Sequence, residues 1–176
     1  MVSISSLILA LVVLTAQQQN NFLAEADEGL IEKACHNADA PATCKQCLDS
    51  DSRSQQANTL GDIAVILLDC VNSHSTNLAH NLTQLASEAT EESSRQRYKN
   101  CAMNFTDAQG EMQEARKGIQ GTKYDDAEEC VDMALQHGIM CITSIKSLPT
   151  VPQEVVFEIA LFEELCEASM RVIERL

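Results

Sequence analysis

Residues 98–119 read YKNCAMNFTDAQGEMQEARKGI, and the fold turns on how this stretch is read. Apolar or small residues fall at Tyr98, Cys101, Phe105, Ala108, Met112, Ala115 and Ile119, in steps that alternate between 3 and 4. That is the period of one face of an α-helix, and it predicts a long amphipathic helix. Gly118 and Gly121 mark its end, because glycine readily leaves helical geometry at a C-terminus.

Working outward, the same rhythm appears three more times. Upstream lies Leu60, Ala64, Leu67, Val71, Ser75, Leu78, Leu82, Leu85, Ala89. Downstream come Tyr124, Ala127, Val131, Ala134, Gly138, Cys141, Ile145, Leu148, and then Val155, Ile159, Phe162, Cys166, Ser169, Ile173, Leu176. Thr90-Glu-Glu-Ser-Ser94 separates the first two stripes, and Pro149 and Pro152 bracket the last turn. Asp125, Asp126, Glu128 and Glu129 crowd the start of the third helix, where the macrodipole favours anions. Short connections make sequence neighbours antiparallel, so the expectation is an all-α, up-down-up-down four-helix bundle over 53–176. Before it, 27–52 reads as an α-hairpin, two short helices about the turn Asn37-Ala-Asp-Ala-Pro41. Helices this short are marginal alone, and a Cys35–Cys44 bridge across the turn would staple them.

Composition narrows the function. The 176 residues carry Asp+Glu 26 against Lys+Arg 12, a formal net charge of −14, with 45% hydrophobic residues, 3% aromatic and no Trp. This suits one domain plus a targeting segment and is too apolar for wholesale disorder. Nucleic acid is excluded as a partner, since the charge repels phosphate and no aromatic platform exists for bases. There is no sustained alternation and no Asn-Gly hairpin turn, hence no β signal. The acidity has two readings: solubility, or attraction to a basic partner, which mainly speeds encounter.

Leu7-Ile-Leu-Ala-Leu-Val-Val-Leu14 is too short to span a bilayer and reads as the apolar core of a signal peptide over 1–26. Ala24-Glu-Ala26 offers a small-x-small cleavage site, with Ala16 as the alternative. The mature chain is expected to be extracellular and to have no membrane association after cleavage. Sequons at Asn81 and Asn104 accord with that route. In an oxidising compartment the eight cysteines imply a disulfide framework. Cys44-Lys-Gln-Cys47 has redox or zinc spacing, but neither a thioredoxin-like pattern nor a second CxxC accompanies it. His36, His74, His80 and His137 are scattered, without HxxxH or HExxH. No catalytic residue, metal site or cofactor is expected.

Several stretches together carry a family likeness: Leu30-Ile-Glu-Lys-Ala-Cys35, Cys44, Ser50-Asp-Ser-Arg-Ser54, Asn100-Cys101, Tyr124-Asp-Asp-Ala127 and Cys141. In their order and spacing these resemble the plant invertase and pectin methylesterase inhibitor family, over about residues 28–176. The resemblance implies two disulfides, Cys35–Cys44 and Cys101–Cys141. Helical arithmetic agrees with the second: the midpoint of 101 and 141 is 121, where Gly121 occupies the expected turn. It also implies a non-enzymatic monomer, in the apoplast or cell wall with the vacuole as the other destination, that forms a one-to-one complex with a secreted pectin methylesterase or invertase and blocks its cleft.

In invertase inhibitors of this family a Pro-Lys-Phe stretch enters the target's active site, and the nearest match here is Thr122-Lys123-Tyr124. Lysine is kept, tyrosine replaces phenylalanine, and proline is absent. Pectin methylesterase inhibitors commonly carry Tyr-Asp-Asp-Ala, present here from Tyr124 to Ala127, and Ser-Ala-Ala-Leu, where this chain has Asp132-Met-Ala-Leu135. The same three residues also read as a solvated helix end, Lys123, followed by the first core position of a stripe, Tyr124. A non-inhibitory storage or signalling role is the alternative for the whole chain.

Four cysteines exceed the family's usual set: Cys47, Cys70, Cys130 and Cys166. Cys130 and Cys166 have their midpoint at 148, near the last turn, which predicts a Cys130–Cys166 bridge and leaves Cys47 to Cys70 by elimination. The competing expectation is that some remain buried thiols packing as small apolar side chains.

Overall fold

The computed structural model describes residues 29–176; the expected signal peptide lies outside them. All regular structure there is helical: α1 (29–35), α2 (Pro41–Ser50), a 3₁₀ turn (Ser52–Gln56), α3 (Leu60–Glu88), α4 (Glu92–Gln120), α5 (Tyr124–Ile145) and α6 (Gln153–Ile173).

α3 starts where a capping box forms. The Thr59 hydroxyl accepts from the Asp62 N–H at 3.1 Å, and the Asp62 carboxylate accepts from the N–H groups of Thr59 and Asn58, each at 3.0 Å. The bond from Asn58, joined by those from Thr59, holds the Asp62 carboxyl below its usual range. α3 to α6 then pack as a ring, each against two neighbours. Connections 89–91, 121–123 and 146–152 are too short for anything but antiparallel neighbours. Cross-links agree: Cys101 bonds Cys141, and the Arg97 guanidinium donates to the Ser144 carbonyl at 2.7 Å.

The buried residues follow the stripes and extend beyond them. Ile63, Ile66, Leu68, Leu165, Ala168 and Val172 lie off the seams yet are buried. A bundle helix faces two partners, so its apolar face is wider than a single 3–4 row. Phe105 of α4 and Phe162 of α6 meet edge to face across the core, with ring centroids 5.1 Å apart. Gly138 of α5 makes this contact fit, since a Cβ there would stand 2.9 Å from the Phe162 ring. Ser75 and Ser169 occupy buried stripe positions by donating their hydroxyls to the carbonyls one turn back, Val71 and Leu165.

The α1–α2 hairpin rests on α3 and α6. Leu48 and Cys44 are fully buried, Thr43 donates to Glu164 at 2.5 Å, and Arg175 donates to the carbonyls of Lys33 and Ala34. Asp69 of α3 accepts from both Arg53 of the 3₁₀ turn and Arg116 of α4, tying three elements at one point.

Three disulfides join Cys35–Cys44, Cys47–Cys70 and Cys101–Cys141, with Cα separations of 5.6, 6.2 and 4.7 Å. The CxxC pair is therefore divided between two bridges and forms no redox couple. The expected Cys130–Cys166 bridge is corrected: both thiols are free. Their heights are compatible, because the α5–α6 connection is centred close to 148. Their directions are not. One residue turns a helix by 100°, so Cys130, one place before Val131, leaves the core seam. Its thiol lies among Glu111 and Glu114 of α4 and Glu129, while Cys166 is fully buried near Glu163. Burial, then those carboxylates, pushes the Cys130 thiol up, and burial raises Cys166 further.

Two outcomes are expected. Thiol titration of denatured, unreduced protein should count the two free cysteines, and replacing both Cys101 and Cys141 by serine should lower urea stability by about 3–4 kcal/mol. Glu163 gives a pH test. Burial, with help from Glu167, raises its carboxyl, so the folded state holds that proton more tightly than the unfolded chain. Its stabilising contribution is complete below the unfolded value, about 4.3, and is lost as pH rises through the raised folded value. Glu163→Gln should therefore gain stability relative to the parent on going from pH 4 to pH 7; an offset that does not change with pH would refute this.

Candidate partner-binding surface

The three residues singled out for partner binding sit together at one end of the bundle, in the α4–α5 turn. The turn is a Schellman motif: the Lys123 N–H reaches back to the Gly118 carbonyl at 2.8 Å and the Thr122 N–H to Ile119 at 3.1 Å. The left-handed position of that motif usually holds glycine. Here Gly121 comes one residue early, at φ −90°, and Thr122 takes the left-handed conformation at φ 55°. A β-branched residue is strained there. The Thr122 hydroxyl donates to the Gly121 carbonyl at 2.7 Å.

Close packing beneath explains why the turn keeps this shape. A Cβ on Gly118 would stand 2.9 Å from the Ala127 Cβ and 3.1 Å from the Lys123 carbonyl, so α5 can leave α4 only by pressing on a glycine. Lys123 points outward, its side chain 71% exposed, with a long 3.8 Å contact to Asp126. Tyr124 is half-buried against the core. Lys123 is thus a solvated helix-end charge, and Tyr124 begins a stripe while keeping an accessible edge.

The sequons occupy helices. Asn81 is exposed on α3, and Asn104 is half-buried on α4. Off-stripe apolar side chains are the feature that the periodicity argument passed over. Met103, Met133, Ile139, Met140 and Phe157 are exposed. The signal was present in the sequence, since none of them falls on a seam.

A cleft of about 510 Å³ opens at the other end, between the α3–α4 and α5–α6 turns. Glu88, Glu91, Ser94 and Tyr98 line it, without histidine or cysteine. The Tyr98 hydroxyl donates to the Thr150 carbonyl at 2.8 Å, and burial raises its pKa, so it stays protonated with its hydrogen committed there. His74 instead pairs with Glu158 at 2.9 Å, bridging α3 to α6. Among the described residues no group of three or more His, Cys, Asp or Glu is placed to hold a metal, and no helix is long and apolar enough to cross a membrane.

Residues 29–172 match the family model described as plant invertase/pectin methylesterase inhibitor. A pectinesterase inhibitor of Actinidia deliciosa is 23% identical over 143 residues, covering 81% of this chain and 77% of that protein. The crystal structure of a mutant form of a pectin methylesterase inhibitor from Arabidopsis superposes with a TM-score of 0.73 at 20% identity, over 83% of this chain and 96% of that one. A pectin methylesterase inhibitor from Arabidopsis thaliana gives 0.65 at 20% identity, over 83% and 95%.

The strain at Thr122 is directly measurable. Thr122→Gly should remove it and, after the extra flexibility glycine gives the unfolded chain, raise unfolding free energy by about 0.5–1 kcal/mol. Thr122→Ala, which keeps a Cβ in the left-handed region, should recover less; equal gains would place the strain elsewhere.

Proposed function

The chain belongs to the plant invertase/pectin methylesterase inhibitor family, and on that basis we propose that it is a secreted inhibitor forming a one-to-one complex with a pectin methylesterase, whose substrate cleft it blocks. The observation that carries this reading is the agreement between the family match across 29–172 and relatives that are themselves pectin methylesterase inhibitors.

Physical features of the molecule suit the role. A blocking protein has no bond to break, so it needs rigidity and surface rather than a reactive group. The bundle is held by three disulfides, two of which fasten the hairpin and brace it against α3. A surface ordered beforehand loses little conformational freedom on docking. A specific complex of this kind buries about 1,200–2,000 Å² in total. The net charge of −14 would accelerate encounter with a cationic enzyme, and rising salt would screen that steering. It also disfavours direct attachment to pectin, a polyanion.

Invertase is the second reading, favoured by the exposed Lys123 beside the accessible edge of Tyr124. On that reading the α4–α5 turn is the centre of the contact. Lys123→Ala with Tyr124→Ala would then weaken invertase inhibition tenfold or more, about 1.4 kcal/mol.

Titration of the purified mature chain against both enzymes tests the proposal. Methylesterase activity should fall to a plateau reached at one inhibitor per enzyme, unchanged by EDTA. Full methylesterase activity at a molar excess of the protein would overturn it, and loss of invertase activity alone would move the assignment to the second reading.

A further inference from the structure

An aromatic ring stands open to water on α6, where Phe157 is 60% exposed. Aromatic residues make up only 3% of the chain, and the other two described phenylalanines, Phe105 and Phe162, are fully buried. Among the described residues Phe157 is the one aromatic in the set of exposed large apolar side chains. One turn on, Leu161 is half-buried and lines a small cavity with Cys70, Ser73 and His74 of α3. Phe157 therefore lies on the α3 side of α6, with the exposed Ala160 beside it.

The facing helix carries the sequon Asn81-Leu-Thr83, and two contacts set its height relative to Phe157. His74 of α3 meets Glu158 of α6 at 2.9 Å, and Glu88, the last residue of α3, lines the larger cleft with Val151 and Pro152, just before α6. Asn81 is seven residues from each, two turns, so all three share one face of α3. Asn81 thus faces the start of α6, about 9 Å along the bundle from Phe157. Helical side chains tilt toward the N-terminus of their own helix. Because α3 and α6 run antiparallel, Asn81 and Phe157 tilt toward one another, and one sugar ring covers the gap between them. Asn81 and Thr83 point outward around the buried Leu82, so a sugar there disturbs no core contact.

We propose that Asn81 carries an N-linked glycan whose first N-acetylglucosamine packs on the Phe157 ring. The assignment rests on the secretory routing expected from residues 1–26 and is independent of which enzyme the protein inhibits. Modification takes place as the chain enters the secretory compartment, before α3 forms, so the helix does not obstruct it. The Asn81 amide nitrogen attacks the anomeric carbon of an oligosaccharide carried on a lipid pyrophosphate. One C–N bond forms, the C–O bond to the pyrophosphate breaks, the amide gives up one proton, and the lipid pyrophosphate leaves. Folding then brings the sugar to the ring. One face of the sugar presents C–H bonds to the electron-rich face of the phenyl ring, and both surfaces are removed from water. The outer sugars stay hydrated and cover the apolar surface of Phe157, Ala160 and Leu161, which otherwise invites self-association.

The test uses the full chain secreted by plant cells and recovered from the medium. Glycopeptide mapping should find N-acetylglucosamine on Asn81. Asn81→Gln, which removes the glycan and keeps the charge, should lower the melting temperature by about 2–4 °C. In the Phe157→Ser background the same substitution should lower it by less than half as much, because the ring beneath the sugar is gone. In unglycosylated protein from a bacterial periplasm, Asn81→Gln should shift melting by less than about 1 °C, which assigns the loss to the sugar. Magnetic resonance of the glycoprotein should show protons of the first sugar moved upfield by the ring and returned to free-glycan positions in Phe157→Ser. Secreted protein bare at Asn81, equal melting losses in the two backgrounds, or sugar resonances that ignore Phe157→Ser would each overturn the proposal. A chain that is never secreted removes the secretory reading and this assignment together, whereas a secreted chain bare at Asn81 removes this assignment alone.

Discussion

The bond between Cys101 and Cys141 joins α4 to α5 about five and a half turns from the tight turn that connects them. Two helices fastened at both the turn and the bridge can neither slide nor twist past one another. That constraint sets which residues share a level. Phe105 comes beside Gly138, and the absence of a side chain at Gly138 admits the Phe162 ring from α6 for its edge-to-face contact with Phe105. The same register brings Glu111 and Glu114 over Cys130 and aligns Met103 with Met140. Core packing and surface chemistry along this seam are consequences of one covalent distance.

The other two bridges act on a weaker part of the molecule. α1 and α2 are too short to hold helical structure alone. Cys35–Cys44 closes their turn, and Cys47–Cys70 fixes α2 to α3, while Thr43, Arg53 and Arg175 add polar ties to α6, α3 and α1. The local motif Cys44-Lys-Gln-Cys47 suggests a pair, yet its two members sit three apart on a helix and point to different partners. They share one face of α2 a turn apart, and the hairpin captures one while the bundle captures the other.

Acidic residues outnumber basic ones 26 to 12 in the full chain, a balance that suits solubility and, on the inhibitor reading, encounter with a cationic partner. The strained Thr122 and close-packed Gly118 at the end of the seam show local stability given up to hold a particular turn shape, a pattern found at contact sites.

Read alone, the chain determined four helices, their order and their antiparallel sense. It also determined the height of each residue along them: period, caps and short turns are local, and height accumulates by a constant rise per residue. Hence the level of Cys101 with Cys141, and even of Cys130 with Cys166, is legible from numbering. Direction around each helix is decided by which neighbours flank it, and only the tertiary structure supplies those. One residue of offset turned Cys130 by 100° toward Glu111 and away from Cys166. The same consideration widened the buried faces to include Ile63 and Leu165. Gly121 ends α4 without leaving ordinary backbone, and the left-handed turn position falls on Thr122. The exposed methionines were visible as off-stripe residues in the sequence, but which of them stand level across α4 and α5 follows from the bridge, which acts across 40 residues of chain.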